Sequence, residues 1–326
     1  MRTILIVGGA GYIGSHMVKL LASQGFGVTV LDNLCNGHRE AVTQGELVVG
    51  DAGDNALLDR LFLQTRFDAV MHFASHIQVG ESVSDPGKYY ENNVNQTVAL
   101  LNAMIRHRVD YFIFSSTAAI FGEPDYTPID EQHPEQPLNP YGKSKWMVER
   151  LLTDYHAAYG LHYGCLRYFN AAGADPEGQL GECHEPETHL IPLVLQAASG
   201  RRKNITIFGD DYPTPDGTCI RDYIHILDLC QAHLQLMDYL WKGGEERQFN
   251  LGTGKGYSVR EIIKTAEKIS GKTIPVEMAN RRPGDPAVLV ADGSKARKIL
   301  NWTPAYSDLE TILKHAWAWE EKLKGR

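Results

Sequence analysis

Short apolar, β-branched runs recur along the first half of the chain and predict strands at 3–7, 27–31, 46–49, 68–73, 111–116 and 162–168. Between them apolar positions take helical spacing at 12–24, 54–65, 86–107 and 140–159, with Pro86 in a first-turn position where its missing N–H costs nothing. Strands alternating with helices in this way predict an α/β chain built on a Rossmann-type, doubly wound parallel sheet. From Ala174 the texture changes: loops rich in Gly, Pro and acidic residues at 175–187, 209–218 and 280–287 separate shorter elements, as in a smaller C-terminal α/β substrate domain. The expected division is 1–173 and 174–326, blurred by the run Gln248 to Gly252, which reads as a strand able to return to the main sheet.

The turn after the first strand carries candidate chemistry. Val7 to Gly14 holds Gly8, Gly9, Gly11 and Gly14, satisfying both G-x-G-x-x-G and G-x-x-G-x-x-G. Glycines there let backbone approach a pyrophosphate, and the following helix offers free N–H groups and the positive end of its dipole. Asp32 closes the second strand, 18 residues after Gly14, near the spacing at which a carboxylate takes an adenosine ribose. It would repel a 2′-phosphate, so the expected cofactor is NAD rather than NADP.

Composition narrows the partners. A net charge of −8, with no like-charge block longer than the Arg201-Arg202-Lys203 turn, argues against a nucleic-acid surface. Cys35, Cys165, Cys183, Cys219 and Cys230 form no C-x-x-C pair, which fits free thiols in a reducing compartment. No apolar run approaches a membrane span, and no leader pattern precedes the first strand, so a cytoplasmic protein is expected. The region His184-Glu185-x-x-x-His189 suggests metal ligands only superficially: the spacing is not H-E-x-x-H, a third ligand is not evident, and no metal is expected. His72 and the tryptophans 302, 317 and 319 read as packing residues.

In an open α/β sheet ligands gather at the carboxyl ends of the strands. Ser115-Ser116-Thr117 ends the fifth strand, and Tyr141 and Lys145 lie one turn apart on the next helix. The expectation is a proton-transfer group: the ammonium lowers the phenol pKa, Tyr141 takes a proton from an alcohol as a hydride leaves its carbon, and Thr117 holds the same oxygen.

These motifs resemble the extended short-chain dehydrogenase/reductase superfamily. Further runs resemble the UDP-glucose 4-epimerase family along nearly the whole chain: Asp32-Asn33-Leu34, His72-Phe73-Ala74, Leu166 to Asn170, Ile207 to Thr214, Asp216 to Thr218, Ile220 to His225 and Arg281-Arg282-Pro283-Gly284-Asp285. The most specific is the stretch from Asp211-Tyr-Pro-Thr to Arg221-Asp-Tyr-Ile-His225.

The resemblance implies that NAD is contacted by Gly8, Gly11, Tyr12, Ile13, Gly14, Asp32, Asn33, Asn36, Asp51, Ala52, Phe73, Ala74, Asn92, Ser115, Tyr141, Lys145 and Tyr168. It implies that Asn170, His189, Leu190, Ile207, Phe208, Arg221, Arg282 and Asp285 hold the UDP part of a UDP-sugar, that Thr117 and Tyr141 face the sugar, and that Leu289 walls its pocket. Two guanidiniums suit a diphosphate, and a carboxylate suits a ribose diol. Thr117 stands where many relatives have Ser, Ile77 where some have Lys, His189 where some have Asn, and Gln96 where Gly is frequent; none of these removes the Tyr-Lys pair.

The expected activity is reversible 4-epimerisation of UDP-glucose and UDP-galactose through a transient 4-keto sugar, by an isomerase acting as a homodimer through helices 86–107 and 140–159. Alternatives are an epimerase of an N-acetylhexosamine, uronate or pentose nucleotide, and a catalytically silent NAD-binding redox regulator. A dehydratase is disfavoured because Ala118-Ala119 follows Thr117 where an acid-base pair is needed.

Overall fold

A computed structural model describes residues 1–282 and 285–325. In the first half of the chain the elements are β1 (Thr3–Val7), α1 (Tyr12–Ser23), β2 (Gly27–Asp32), β3 (Glu46–Val49), α2 (Asn55–Gln64) and β4 (Ala69–His72). They continue with α3 (Val79–Ser84), α4 (Pro86–Tyr90), α5 (Gln96–Arg106), β5 (Tyr111–Ser115), α6 (Pro140–Tyr159) and β6 (His162–Tyr168). Then follow β7 (Asn170–Ala172), α7 (Leu190–Ser199), β8 (Ile205–Phe208), β9 (Ile220–His225), α8 (Ile226–Trp241) and β10 (Gln248–Leu251). The chain closes with β11 (Gly256–Ser258), α9 (Val259–Ser270), β12 (Val276–Ala279), β13 (Val288–Leu289), α10 (Ser294–Leu300) and α11 (Leu309–Lys324). Among the described residues no helix is long and apolar enough to cross a membrane.

The chain divides into two compact units, one formed by Met1–Gly122, Pro134–Arg167 and Cys230–Phe249, the other by Glu123–His133, Tyr168–Leu229 and Asn250–Arg326. In the first unit the seven-stranded sheet runs β10-β6-β5-β4-β1-β2-β3, with β1 to β6 paired in parallel. This is the expected doubly wound sheet. The order reverses direction between β1 and β4, which puts a ligand-binding crevice beyond their carboxyl ends. Covered on both faces, a central strand has no reason to alternate, and Ile4, Leu5, Ile6 and Val7 are all buried.

Helix α6 is set by its ends: the Asn139 side chain accepts the Gly142 amide at 2.8 Å, Pro140 occupies the first turn, and Gly160 closes the helix with φ of 73°. One face of α6 carries Glu149, which accepts from Ser116 Oγ at 2.5 Å and from Arg167 Nε at 3.0 Å. Both charged side chains are fully buried.

The predicted helix 86–107 is instead α4, a π-helical turn at Glu91–Asn95, and α5. The extra residue per turn brings Asn93 inward, where its side chain accepts the His76 amide at 2.8 Å and donates to Ser144 Oγ at 2.9 Å. Hydrophobic periodicity carries no signal for such a turn.

In the second unit β9 is flanked by β11, β13 and β7, while β8 pairs with β12. Helices α7, α9 and α11 close an apolar core of residues such as Ile191, Val194, Ile262 and Ile312. Fully buried Asp222 fastens β9 by accepting the amides of Thr253 at 3.1 Å, Gly254 at 3.2 Å and Ala291 at 3.3 Å. Trp302 is buried and donates to the Asp228 carbonyl at 2.8 Å, a packing role as expected.

Removing Glu149 would leave the Arg167 charge buried, with the partly exposed Glu135 as its one remaining carboxylate partner among the described residues. Glu149→Ala is therefore expected to lose about 3–5 kcal/mol of stability in urea unfolding. A change within about 0.5 kcal/mol, the range of surface substitutions, would contradict this reading.

Candidate active site

The glycine turn is built on close approach. Gly8 has φ of +83°, and a Cβ there would lie 2.4 Å from the Ala74 amide nitrogen. A Cβ on Gly14 would lie 2.1 Å from the Gly8 carbonyl oxygen, so helix α1 can begin against the strand end only without one. Gly11 differs: a Cβ there would meet only the Gly8 carbonyl oxygen at 3.5 Å, and Gly11 caps α1 with no side-chain hydrogen bond. The first amides of the helix, at Tyr12 and Ile13, thus face a cradle that fits an anion such as a pyrophosphate.

Asp32, at the end of β2, accepts the Ala10 amide at 2.9 Å and the Leu34 amide at 2.8 Å, one on each carboxylate oxygen. These bonds fix the glycine turn and aim the carboxylate, whose oxygens keep further acceptor capacity. Asn33 Nδ2 donates to Asp51 Oδ1 at 2.7 Å, tying the ends of β2 and β3, while Ala52 is buried and Asn36 exposed. Phe73 and Ala74 donate their amides to the Val7 carbonyl at 2.7 and 3.1 Å, which ends β4 against β1. Asn92 is half-buried in the π-helical turn, and Tyr168 is half-buried at the end of β6.

Thr117, Tyr141 and Lys145 come together at the end of β5. Thr117 makes a hydrogen bond to the Tyr141 phenol. Lys145 is buried and donates from Nζ to Ser75 Oγ at 2.7 Å and to the Ser115 carbonyl at 2.9 Å. Burial lowers the Lys145 pKa to about 7, with Cys165 and Glu149 acting in the other direction. One step of the sequence reading is corrected here. Burial raises the Tyr141 pKa and the Thr117 bond opposes it, while the ammonium points to the strand end; lowering of the phenol by Lys145 is not a property of the chain alone. His72 is the core histidine expected, its Nε2 2.9 Å from Thr97 Oγ1 and its pKa brought down to about 3 by burial and the Lys145 charge.

The remaining residues lie in the second unit. Asn170 on β7 donates to the Asp222 carbonyl at 2.8 Å. Arg221 on β9 forms an ion pair with Asp285, and Leu289 on β13 is its register partner. The Arg282 guanidinium lies 3.9 Å from the Phe208 ring centroid, next to buried Ile207 on β8. Pro283 and Gly284 of the same motif lie outside the described residues.

His189 caps α7 just before Leu190. Its Nδ1 is 2.7 Å from Glu182 Oε1 and 3.1 Å from Glu187 Oε1. Burial disfavours its charge, yet the two carboxylates outweigh burial and raise its pKa to about 10. His184 faces the same pair, 3.2 Å from Glu182 and 3.6 Å from Glu187, and is raised to about 9 by the same balance.

Residues 5–315 match the family model described as GDP-mannose 4,6 dehydratase. A UDP-glucose 4-epimerase of Halalkalibacterium halodurans is 53% identical, over 98% of this chain and 96% of that protein. The chain belongs to the UDP-glucose 4-epimerase family. A solved UDP-glucose 4-epimerase from Brucella ovis, in complex with NAD, is 50% identical with a TM-score of 0.95, covering 97% of this chain and 98% of that one. The UDP-Glc/GlcNAc 4-epimerase of Campylobacter jejuni is 44% identical with a TM-score of 0.87, covering 99% of this chain and 100% of that one. Epimerase membership agrees with Ala118 and Ala119, which form a short 3₁₀ turn after Thr117 and offer no acid-base pair.

Sequence reasoning missed Ser75, Glu149, Glu182 and Glu187. Ser75 had a signal, since it directly follows the His72-Phe73-Ala74 run at a strand end. The three glutamates had none, because their partners are 18 residues away or grouped by an irregular loop.

Proposed function

We propose that the chain interconverts UDP-glucose and UDP-galactose by NAD-dependent oxidation and re-reduction at C4. The observation that carries this reading is the segment after β4. Ala74 packs on Gly8 of the dinucleotide turn, and its neighbour Ser75 accepts from Lys145, so the cofactor cradle and the Tyr141-Thr117 pair share one strand-end scaffold. NAD would be held by the residues named for it above. When bound it supplies the hydride acceptor, and later the donor, together with a positive charge.

Thr117 and Tyr141 hold the sugar O4. Tyr141 takes the hydroxyl proton as C4 is oxidised to the 4-keto sugar and returns it on reduction. The neutral phenol that burial favours is the form able to return a proton, and a cation beside it acts against burial in the oxidative direction. Arg221, Arg282, Asn170 and His189 anchor the UDP part, so that the ketone can turn about its bond to the diphosphate and present its other face. The first unit thus carries redox and the second anchors the nucleotide. We also assign the chain to the cytoplasm, in keeping with its free cysteines, and to a homodimer through α5 and α6, where Met147 and Tyr159 are exposed.

Tyr141→Phe is expected to lower turnover of UDP-galactose by at least about a hundredfold with UDP affinity preserved. Near-normal turnover would refute the proton path.

Leu289, opposite Arg221, sets sugar width in this reading. A hydrophobic wall discriminates by only about 1–3 kcal/mol per small group, so N-acetylated substrates are expected to react more slowly without being excluded. Leu289→Tyr should suppress them further while sparing the plain hexoses. Equal kcat/KM for the N-acetylated pair in both proteins would remove Leu289 from this role.

A further inference from the structure

The loop that leads into α7 gathers four metal-binding side chains. Glu182, His184, Glu187 and His189 each direct one ligand atom into a group whose members all lie within 4.8 Å of one another. Glu182 and Glu187 have buried side chains, 6% and 5% exposed, His184 is 21% exposed and His189 41%, so both carboxylates are enclosed while the His189 imidazole reaches the surface. The same loop borders a cavity of about 400 Å³ whose lining includes Glu182, His184 and Glu187, which gives an ion a route in.

The donor geometry suits a four-coordinate ion. Ligands bound tetrahedrally at about 2.0–2.1 Å stand about 3.4 Å apart. Glu182 Oε1 is 3.2 Å from His184 Nδ1 and 2.7 Å from His189 Nδ1, and Glu187 Oε2 is 3.6 Å from His184 Nδ1. Two of these separations lie within about 0.2 Å of that spacing, and the third, between Glu182 and His189, opens by about 0.7 Å on binding. The surroundings already hold the ligands: Glu187 Oε1 accepts the amides of Thr188 at 2.7 Å and His189 at 2.8 Å, leaving Oε2 for an ion. The Glu182 carbonyl is fixed by Trp319 Nε1 at 2.9 Å. Arg201, which lines the cavity, has its charge met by both carboxylate oxygens of Glu320 at 2.7 and 2.6 Å.

We propose that Glu182, His184, Glu187 and His189 form a structural site for a divalent transition-metal ion of the zinc class. Two imidazoles disfavour calcium and magnesium, which prefer oxygen shells, and select borderline ions. Two carboxylates balance the charge of the ion, which with neutral imidazoles makes the bound cluster neutral. The ion ties the 182–189 loop to the start of α7, and this role stands whether or not the other face of His189 meets a diphosphate.

The test uses the full-length, untagged chain stripped with a chelator. Equilibrium dialysis against Zn²⁺ should give one ion per chain, and Co²⁺ in its place should show the intense visible bands of a tetrahedral site. His184→Asn and Glu187→Gln should each weaken Zn²⁺ binding at least tenfold and abolish those bands. Their metal-free circular dichroism should match that of the parent, which separates loss of the site from loss of the fold. Failure to bind one equivalent, Co²⁺ bands of an octahedral aquo-type ion, or unchanged affinity in both variants would overturn the proposal. Because the readout is metal content and a spectrum, failure of the epimerase reading would leave this result unaffected.

Discussion

The close seat of α6 against the end of β5 is the constraint on which the rest of the first unit depends. Gly142, Lys145 and Glu149 stand three and four residues apart, on one face of the helix. A Cβ on Gly142 would lie 2.5 Å from the Ala119 carbonyl oxygen, Lys145 donates to the Ser115 carbonyl, and Glu149 accepts from Ser116. Three successive contacts along this stripe, two to backbone carbonyls and one to the Ser116 hydroxyl, lock the helix to the chain on both sides of Thr117. Tyr141, beside Gly142 in sequence, is delivered to Thr117 by that seat and not by any bond of its own to the ammonium.

The seat also explains why a costly arrangement is buried there. A desolvated Glu149–Arg167 pair is weak evidence for stability, since apolar residues of similar volume could fill the space. It does give Ser116 a fixed acceptor and so sets the strand-end register to which the hydroxyl of Thr117 belongs. Lys145 joins the same scaffold to the cofactor cradle through Ser75, one residue beyond the Ala74 amide that Gly8 approaches. The geometry is pre-organised around the place where charge moves, which is where rigid donors contribute most to catalysis.

Much of this was legible in the sequence for physical reasons. Strands buried on both faces write continuous apolar runs, and Gly8 and Gly14 mark a turn other residues cannot make. The Tyr141–Lys145 spacing follows from helical pitch alone. The π-helical turn at Glu91–Asn95 was hidden, because one extra residue leaves the apolar rhythm of 86–107 almost unchanged. The direction in which Lys145 points was hidden as well: spacing places two side chains on one face but does not say that a carbonyl and a serine hydroxyl will take the ammonium. Glu182 and Glu187 were invisible because an irregular loop, with no period, brings them to His184 and His189.

The central claim is that the hydride leaving C4 is the hydride that returns. UDP-galactose carrying deuterium at C4, converted in ordinary water, tests it most directly. The account requires UDP-glucose that retains the deuterium at C4, with the label neither diluted by solvent nor moved to another carbon. Loss of the label to water at C4 would mean deprotonation at carbon rather than hydride transfer, and would contradict the account.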